Sequence, residues 1–222
     1  MKRIACIGNF DGVHQGHQLL INRVVELAAD KFTTAVITFD PDPETVFARK
    51  KIEHLTTLKQ KKEYFYSMGI EEVIVIPFSE EISYFSKEKF IESFLNSFNL
   101  DTLICGRDYR FGHRGEGNSD YLVNTTKKNF KVEVLEHVLY NNEKISSTMI
   151  SNLIKEGNLD LAKELLNHDY HIEASVLNKK VITENVLPLQ GKYPVLVNSE
   201  ELTLDNETID YPDKKKVRIV FR

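Results

Sequence analysis

The sequence predicts an α/β fold, with an open parallel sheet in the first part of the chain and a small β appendage at its C-terminal end. Through the first two thirds of the 222 residues, short apolar runs rich in β-branched side chains alternate with longer segments of helical period. This alternation is typical of βα units and a parallel sheet. After His168, short strand-like runs follow one another with turn signals between them. We therefore predict two domains, residues 1–168 and residues 169–222.

Each predicted element has its own apolar pattern. Strands of the parallel sheet are expected at Ile4–Ile7, Ala35–Phe39, Val73–Ile76, Thr102–Cys105 and Val132–Val138. Helices with one apolar face are expected at His14–Ala29, Leu58–Met68, Lys87–Phe98, Ser147–Lys155 and Leu159–Leu166. Gly69 can end the second helix, and Ser86 can cap the third. Strands of the appendage are expected at Ile172–Leu177, Lys192–Val197, 201–205 and Val217–Phe221.

Composition and charge exclude several classes of protein. With 41% hydrophobic residues the chain can bury a core, which excludes a disordered tail. Its 29 Lys and Arg against 33 Asp and Glu leave a net charge of −4, which is not the charge of a general nucleic-acid binder. The first apolar run is broken by Gly8 and Asn9, so it is too short for a signal peptide or a membrane span. We expect a cytoplasmic protein without nucleic-acid or membrane partners.

The two cysteines carry little functional signal. Cys6 and Cys105 each lie in a predicted strand, and they lack the CxxC spacing of a zinc or redox site. A free cysteine usually packs as a small hydrophobic residue. We expect both thiols to be buried and inert.

The most informative segment is Gly8–His17, GNFDGVHQGH, which lies where the first strand should pass to the first helix. Helix N-termini at this edge of a parallel sheet present N–H groups to phosphates. Gly8 and Gly12 let the backbone approach a ligand closely. His14 and His17 would share one face if the helix has begun, where both imidazoles could donate hydrogen bonds to phosphate oxygens. A metal-binding pair and two surface histidines at a helix start are the alternatives.

Several motifs in order resemble one superfamily. The residues HQGH at 14–17 are similar to the HxGH signature of nucleotidylyltransferases, whose fold is Rossmann-like. The string GNFDGVHQGHQLL resembles the opening of bacterial FAD synthetases, the adenylyltransferase part of the bifunctional riboflavin kinase/FMN adenylyltransferases. Residues 37–47 resemble the TF-x-PHP-x-x-V segment of that family, and residues 105–112 resemble its G-x-DF-x-FG loop. Residues 145–148 match ISST, and the leucine-rich helix before Tyr170 matches the hinge into the kinase domain. The resemblance covers about residues 1–176.

The resemblance implies a reaction and a set of residues. FMN and ATP would give FAD and pyrophosphate, with Mg²⁺ on the triphosphate. His14 and His17 would be catalytic and hold the ATP phosphates. The implied ATP-binding residues are Gly8, Asn9, Phe10, Asp11, Gly16, Gly106, Asp108, Ser146, Ser147 and Thr148. The implied flavin-binding residues are Phe39, Asp40, Pro41, Tyr109, Arg110 and Phe111, and no residue is assigned as a resident metal ligand.

Each of these motifs also has a purely structural interpretation. Residues 146–148 could be an ordinary helix N-cap cluster. Residues 40–43, Asp-Pro-Asp-Pro, could be only a stiff turn, because a residue before proline avoids the helical region. Tyr109 and Phe111 could belong to the core, and Arg107, Arg110, Arg114 and Glu116 could form a solvated face.

Three departures from the family pattern matter for function. Met149 and Ser151 stand where the family motif ISSTRIR has arginines, and Arg110, Arg114 and Lys144 are the candidates to replace that charge. Asp42 stands where the family has a histidine between two prolines, and a carboxylate there repels phosphates. Residues 169–222 lack the P-T-A-N motif of a riboflavin kinase, so we interpret them as a shortened remnant of that barrel without kinase activity.

Three functions remain open from the sequence. The leading hypothesis is an FMN adenylyltransferase. The missing arginines motivate the second, a weakened paralogue that binds flavin or adenine nucleotide in a regulatory role. A nucleotidylyltransferase with another acceptor would explain HxGH but not the loop at 105–112. The oligomeric state stays open.

Overall fold

The computed structural model describes residues 1–48, 52–126 and 129–222. They form two compact units, both discontinuous in the chain. The first comprises Met1–Phe10, Gly16–Lys51 and Lys62–Val138, and the second comprises Asp11–Gln15, Ile52–Lys61 and Leu139–Arg222. The division into functional domains 1–168 and 169–222 stays a prediction.

The described residues form strands and helices in the following order. The strands are β1 (Arg3–Ile7), β2 (Thr33–Phe39), β3 (Glu72–Ile76), β4 (Leu100–Gly106), β5 (Arg110–Phe111), β6 (Gly117–Asn118), β7 (Lys131–Leu135), β8 (Leu139–Tyr140), β9 (Glu143–Lys144), β10 (His171–Leu177), β11 (Lys180–Thr183), β12 (Lys192–Val197), β13 (Glu200–Asp205), β14 (Thr208–Ile209) and β15 (Lys214–Phe221). The α-helices are α1 (Gln15–Ala28), α2 (Pro43–Phe47), α3 (Leu58–Ser67), α4 (Glu80–Ser83), α5 (Lys87–Ser93), α6 (Ser119–Thr125), α7 (Ser147–Lys155) and α8 (Leu159–Leu166).

The first unit is built on a five-stranded parallel sheet with the strand order β3-β2-β1-β4-β7. All five strands predicted from the apolar runs are present. The central strand β1 has four buried residues of five, because strands covered on both faces are apolar throughout. The predicted fold class, a Rossmann-like parallel sheet followed by a β appendage, is confirmed.

Both cysteines lie inside this sheet, as expected. Cys6 and Cys105 are free and fully buried. Burial raises the pKa of both thiols, so neither is a thiolate near neutral pH. They pack as small apolar side chains.

The five predicted helices are present with two differences, and the short helices α2, α4 and α6 were not predicted. Helix α1 begins at Gln15, so His14 lies just before it and not on its face. The single helix predicted over Lys87–Phe98 is wrong, because α5 ends at Ser93 and a 3₁₀ turn follows over Leu95–Phe98. The Ser97 hydroxyl donates to the Phe94 carbonyl oxygen at 2.7 Å, a local bond that competes with continued α-helical bonding.

In the second unit, residues 171–221 form a closed antiparallel barrel in the order β10-β11-β14-β13-β12-β15. The four strands expected in this region are present as β10, β12, β13 and β15. Strands β11 and β14 were not predicted, since they have only four and two residues and show no clear alternation. They close the barrel, whose interior contains Ile172, Val195, Leu204 and Ile219.

Candidate functional site

In the first unit, the chain leaves β1 at Gly8, at the carboxyl edge of the sheet. The Gly8 amide donates to the Ile37 carbonyl oxygen at 3.1 Å, and the Thr38 hydroxyl donates to the Asn9 carbonyl oxygen at 3.3 Å. The Asn9 Oδ1 atom is buried and has no hydrogen-bond partner within residues 1–48, 52–126 and 129–222. A buried acceptor of this kind is costly unless a ligand or water supplies the donor. Asn9 is therefore suited to meet a ligand at the end of β1.

Phe10 supports the second histidine of the motif. Its side chain is fully buried, and its ring meets the His17 ring edge-on at 5.2 Å and the Phe65 ring at 5.4 Å. Phe10 also has a φ of 57°, which is uncommon for a bulky residue. The sequence suggested that Phe10 shapes a nucleotide pocket, and its packing indicates that it orients His17 in the first turn of α1.

In the second unit, Asp11 anchors the segment that contains His14. Its carboxylate accepts from the Leu55 amide at 3.1 Å, the Thr56 amide at 2.9 Å and the Thr56 hydroxyl at 3.1 Å. The Gly12 amide donates to the Thr56 hydroxyl oxygen at 2.8 Å. Three donors on one carboxylate hold it in place, so Asp11 has a positioning role whatever it does for a nucleotide.

The ISST residues lie against the same segment within the second unit. Ser146 caps α7 by accepting from the Met149 amide at 3.2 Å, so the predicted N-cap is present. The Ser147 hydroxyl donates to the Asp11 carbonyl oxygen at 2.8 Å, and His168 Nε2 lies 3.0 Å from the Gly12 carbonyl oxygen. The ISST residues and the segment 11–12, which are far apart in the sequence, therefore meet at the start of α7.

His14 is more buried than the sequence suggested. We expected its imidazole to be able to donate a hydrogen bond to a phosphate oxygen, but the side chain is only 5% exposed in the free chain. Burial, and after it the positive charge of Lys144, lowers the pKa of His14 to about 4. The ring is therefore neutral at pH 7 in the free chain, where it can donate one hydrogen bond but adds no full charge.

The depressed pKa of His14 predicts a pH dependence of stability. The unfolded chain protonates this residue near pH 6.5, whereas the folded chain does so only near pH 4. Between these values the unfolded state binds more protons, so stability falls as the pH is lowered through this window. Lowering the pH from 7 to 5 should reduce the free energy of unfolding by about 1–2 kcal/mol more in the wild type than in His14→Gln. Urea denaturation at both pH values measures this, and equal losses in the two proteins would contradict it.

The two segments expected on the flavin side meet in the first unit. Phe39, at the end of β2, lies 6.5 Å from the Phe90 ring, and Phe90 lies 5.5 Å from Phe111. Tyr109 stacks on Phe111 at 5.8 Å and 16°. We call Phe39, Phe90, Phe111 and Tyr109 the aromatic row. Phe90, which the sequence analysis did not single out, connects the end of β2 with the loop after β4. Phe39 and Phe111 are buried, while Asp40, Pro41 and Arg110 are exposed.

Further aromatic residues continue from this row to the surface. The Phe78 ring lies 6.0 Å from Phe39 and 6.4 Å from Phe47, whose side chain is 59% exposed. Tyr84 stacks on His113 at 5.4 Å. Sequence reasoning missed these residues and also Thr56 and His168, because a single sequence carries no sign of such distant contacts.

The loop after β4 is tied to its surroundings by charge. The Arg107 guanidinium forms ion pairs with Glu136 and Asp120, with nitrogen–oxygen distances of 2.9 and 3.2 Å. The Glu116 carboxylate accepts a hydrogen bond from the Lys87 amide at 3.0 Å. These contacts tie the loop to its neighbours, and the Arg107, Asp120 and Glu136 side chains stay largely exposed to solvent. The Asp108 carboxylate lies 3.8 Å from His137 Nδ1, and its side chain is about half exposed. A Cβ added to Gly106 would lie 3.2 Å from the same carboxylate.

Membrane-spanning helices and clusters of metal-binding side chains are both absent from the described residues. In residues 1–48, 52–126 and 129–222, no helix combines the length and the apolar character needed to cross a membrane. The same residues contain no group of three His, Cys, Asp or Glu side chains that could hold a metal ion.

Comparison with known proteins decides the family. The family model described as FAD synthetase matches residues 1–149, about two thirds of the chain. The chain belongs to the FAD synthetase family. This FAD synthetase family member is therefore related to nucleotidyltransferases, as the motifs indicated.

Two relatives of this FAD synthetase family member come from Listeria monocytogenes. A bifunctional riboflavin kinase/FMN adenylyltransferase is 33% identical over 181 residues, which cover 80% of this chain and 58% of the relative. A protein named FAD synthetase is 29% identical over 214 residues, which cover 93% of this chain and 86% of the relative. The chain thus spans little more than half the length of the bifunctional relative.

A solved structure supports the fold of this FAD synthetase family member. The crystal structure of a macrolide-efflux protein from Streptococcus pneumoniae superposes with a TM-score of 0.85 at 22% identity. The match covers 100% of this chain and 84% of that protein. The likeness confirms the arrangement of strands and helices.

Proposed function

We propose that this chain is an FMN adenylyltransferase, which transfers AMP from ATP to FMN and releases pyrophosphate. The observation that carries the proposal is the hydrogen bond from Ser147 to the Asp11 carbonyl oxygen, 2.8 Å long. It places the hydroxyl-rich start of α7 beside the segment that contains His14. Both parts offer donors of the kind that bind phosphate oxygens.

The proposed reaction is a single in-line displacement. A phosphate oxygen of FMN forms a bond to the α-phosphorus of ATP, and the bond from that phosphorus to the bridging oxygen breaks, so pyrophosphate leaves with the electron pair. His17 and neutral His14 donate hydrogen bonds to the charge that builds on the phosphate oxygens. Mg²⁺ supplies charge neutralisation on the triphosphate, since it commonly binds phosphates with few protein ligands.

Asn9 supports the nucleotide side of this proposal. Its buried Oδ1 has no hydrogen-bond partner in the part of the chain that the structure describes. An N–H or O–H donor of ATP would satisfy it, and an amide side chain suits this role because it can accept and donate. The backbone of Asn9 is fixed by Thr38, so the side chain is presented from a rigid position.

Lys144 is the cation that we propose in place of the missing arginines. It precedes Ile145 and Ser146, and its positive charge acts on His14 within the second unit. Because Met149 and Ser151 carry no charge, Lys144 would bind the triphosphate as a point charge rather than a guanidinium fork.

Replacing Lys144 by methionine should raise the KM for ATP about tenfold, the change expected for loss of one charge-assisted hydrogen bond. The KM for FMN should change less than twofold. Steady-state kinetics with each substrate varied measures both values. Lys192→Met, at an exposed position of β12, is the matched control and should leave both unchanged. An unchanged KM for ATP in Lys144→Met would contradict the role.

Turnover of the purified chain tests the function. With FMN and Mg·ATP it should form FAD and pyrophosphate in equal amounts over many cycles, as measured by chromatography and a coupled pyrophosphate assay. With riboflavin in place of FMN we expect no product, because the P-T-A-N motif is not in the sequence. Failure to release pyrophosphate from Mg·ATP at any concentration of FMN would reject the proposal.

The second candidate is a regulatory paralogue that binds flavin or adenine nucleotide without turnover. The absence of both arginines at Met149 and Ser151 favours it. Saturable binding of FMN or FAD with no pyrophosphate release would support this candidate, and multiple turnovers would exclude it. Pyrophosphate release only with an acceptor other than FMN would favour a different nucleotidylyltransferase.

A further inference from the structure

Two residues just before His14 have an unusual backbone conformation. Gly12 has a φ of 78° and Val13 has a φ of 42°. A positive φ is strained for a β-branched residue such as valine, and it persists only where neighbouring groups hold the chain in place. Both residues are buried within the second unit. The backbone that leads to His14 therefore depends on contacts from other parts of this unit.

The Gly12–Val13 peptide is held at its carbonyl oxygen by His168. The Nε2 atom of His168 lies 3.0 Å from the Gly12 carbonyl oxygen, across 156 residues of sequence. A carbonyl oxygen can only accept, so Nε2 must carry the proton that makes this bond. The oxygen moves when ψ of Gly12 or φ of Val13 changes, because both angles turn the same planar peptide. A donor fixed on this oxygen therefore restrains both angles.

Further contacts anchor the residues on either side of this peptide. The Gly12 amide donates to the Thr56 hydroxyl oxygen at 2.8 Å. Beyond His14, the Gln15 side-chain amide donates to the Glu164 carbonyl oxygen at 2.6 Å. Glu164 lies in the last turn of α8, and His168 follows the end of the same helix. The C-terminal end of α8 thus contacts the segment both before and after His14.

His168 is itself held between two fixed residues. Asn167 ends α8 in the left-handed region, with a φ of 57°. Tyr170 is buried, and its hydroxyl donates at 2.7 Å to the carbonyl oxygen of Val186, which lies between β11 and β12 of the barrel. The helix and the barrel therefore fix the backbone on both sides of His168, so that its ring can restrain the backbone that it contacts.

We propose that His168 is a positioning residue for the transfer of AMP, because its bond to the Gly12 carbonyl oxygen keeps the Gly12–Val13 peptide in the conformation that presents His14 to the ATP phosphates. This inference rests on the proposed function, since it takes His14 as a donor to those phosphates. His168 acts on the reaction only through the backbone that precedes His14. Without the bond the strained peptide relaxes, and the buried His14 ring moves towards water.

Two variants separate the bond to Gly12 from the rest of the His168 side chain. In His168→Gln the side-chain amide can take the place of Nε2. In His168→Asn it can take only the place of Nδ1, which lies 3.1 Å from the Asp169 carbonyl oxygen. The turnover number for FAD formation should fall about tenfold in His168→Asn, because an oriented donor is displaced, and the KM for FMN should change less than about twofold. His168→Gln should recover most of the rate.

The titration of His14 reports its position without any substrate. Burial, and after it the charge of Lys144, lowers the pKa of His14 to about 4 in the wild type. In His168→Asn this pKa should rise by at least about 1, because the relaxed segment exposes the ring to water. NMR of the imidazole carbons at pH 5 should then show a partly protonated His14 in His168→Asn and a neutral one in the wild type and in His168→Gln. The spectrum of His14→Gln assigns the signal. A role of His168 in stability alone would lower the urea midpoint without moving this pKa.

An unchanged pKa of His14 in His168→Asn would overturn the inference, and so would an unchanged turnover number. The wild type provides a test that needs no variant. At pH 8 the imidazole nitrogen shifts should show the proton of His168 on Nε2, and a proton on Nδ1 would also overturn the inference. If the wild type forms no FAD, the proposed function fails, while the titration of His14 still decides whether His168 holds the segment.

Discussion

Replacing His17 by alanine should lower the turnover number for FAD formation at least tenfold and leave the fold intact. His17 lies in the first turn of α1, and the edge of its ring packs against the buried Phe10. This packing restricts the imidazole, so its donor is already oriented when charge develops on the phosphates. Removal of one such donor commonly slows catalysis by more than an order of magnitude.

Two control variants and thermal unfolding separate an effect of His17→Ala on catalysis from an effect on folding. Asn22→Ala changes an exposed position of the same helix and should retain the turnover number of the wild type. Thermal unfolding of His17→Ala should remain cooperative, with a small loss in Tm because one ring contact to Phe10 is gone. His17→Asn keeps a neutral donor and should recover part of the lost rate. A turnover number of His17→Ala equal to that of the wild type would refute the catalytic role.

Replacing Gly12 by alanine should reduce the free energy of unfolding by about 2–4 kcal/mol, through backbone strain and a steric clash. Gly12 has a φ of 78°, and a Cβ at this position would lie 2.6 Å from Leu55 Cδ1. The amide and carbonyl groups of Gly12 are bound by Thr56 and His168, so the backbone cannot turn away without breaking these bonds. The same distortion would move the adjoining segment that carries His14, and activity should fall with stability.

Gly8→Ala is the control for this effect. The nearest atoms to its added Cβ are on the Phe10 ring at 3.4 Å, which is an ordinary contact, so the free energy of unfolding should change by less than about 1 kcal/mol. Denaturant titration of both variants gives the comparison. Equal stability of Gly12→Ala and Gly8→Ala would show that the tight turn at Gly12 is not required by the fold.

Much of the architecture could be predicted because it depends on local pattern. Strands β1 and β4 are short apolar runs, and α7 and α8 begin and end where capping residues and period place them. The motif at 8–17 could also be placed at the junction of β1 and α1, since both elements are visible in the sequence. Helix α1 begins at Gln15, one residue later than predicted, so His14 does not lie on the helix face.

The sequence by itself determined the order of the five sheet strands and of the longer helices, the family and the residue types available for phosphate binding, because these depend on neighbours in the chain. Only the tertiary structure decided that Thr56, Ser147 and His168 bind the segment at 11–12, over separations of 44, 136 and 156 residues. It also decided the closure of the barrel by β11 and β14 and the burial of His14. Contacts of this kind depend on how distant elements pack, and burial sets the pKa of a group through that packing rather than through its own local sequence.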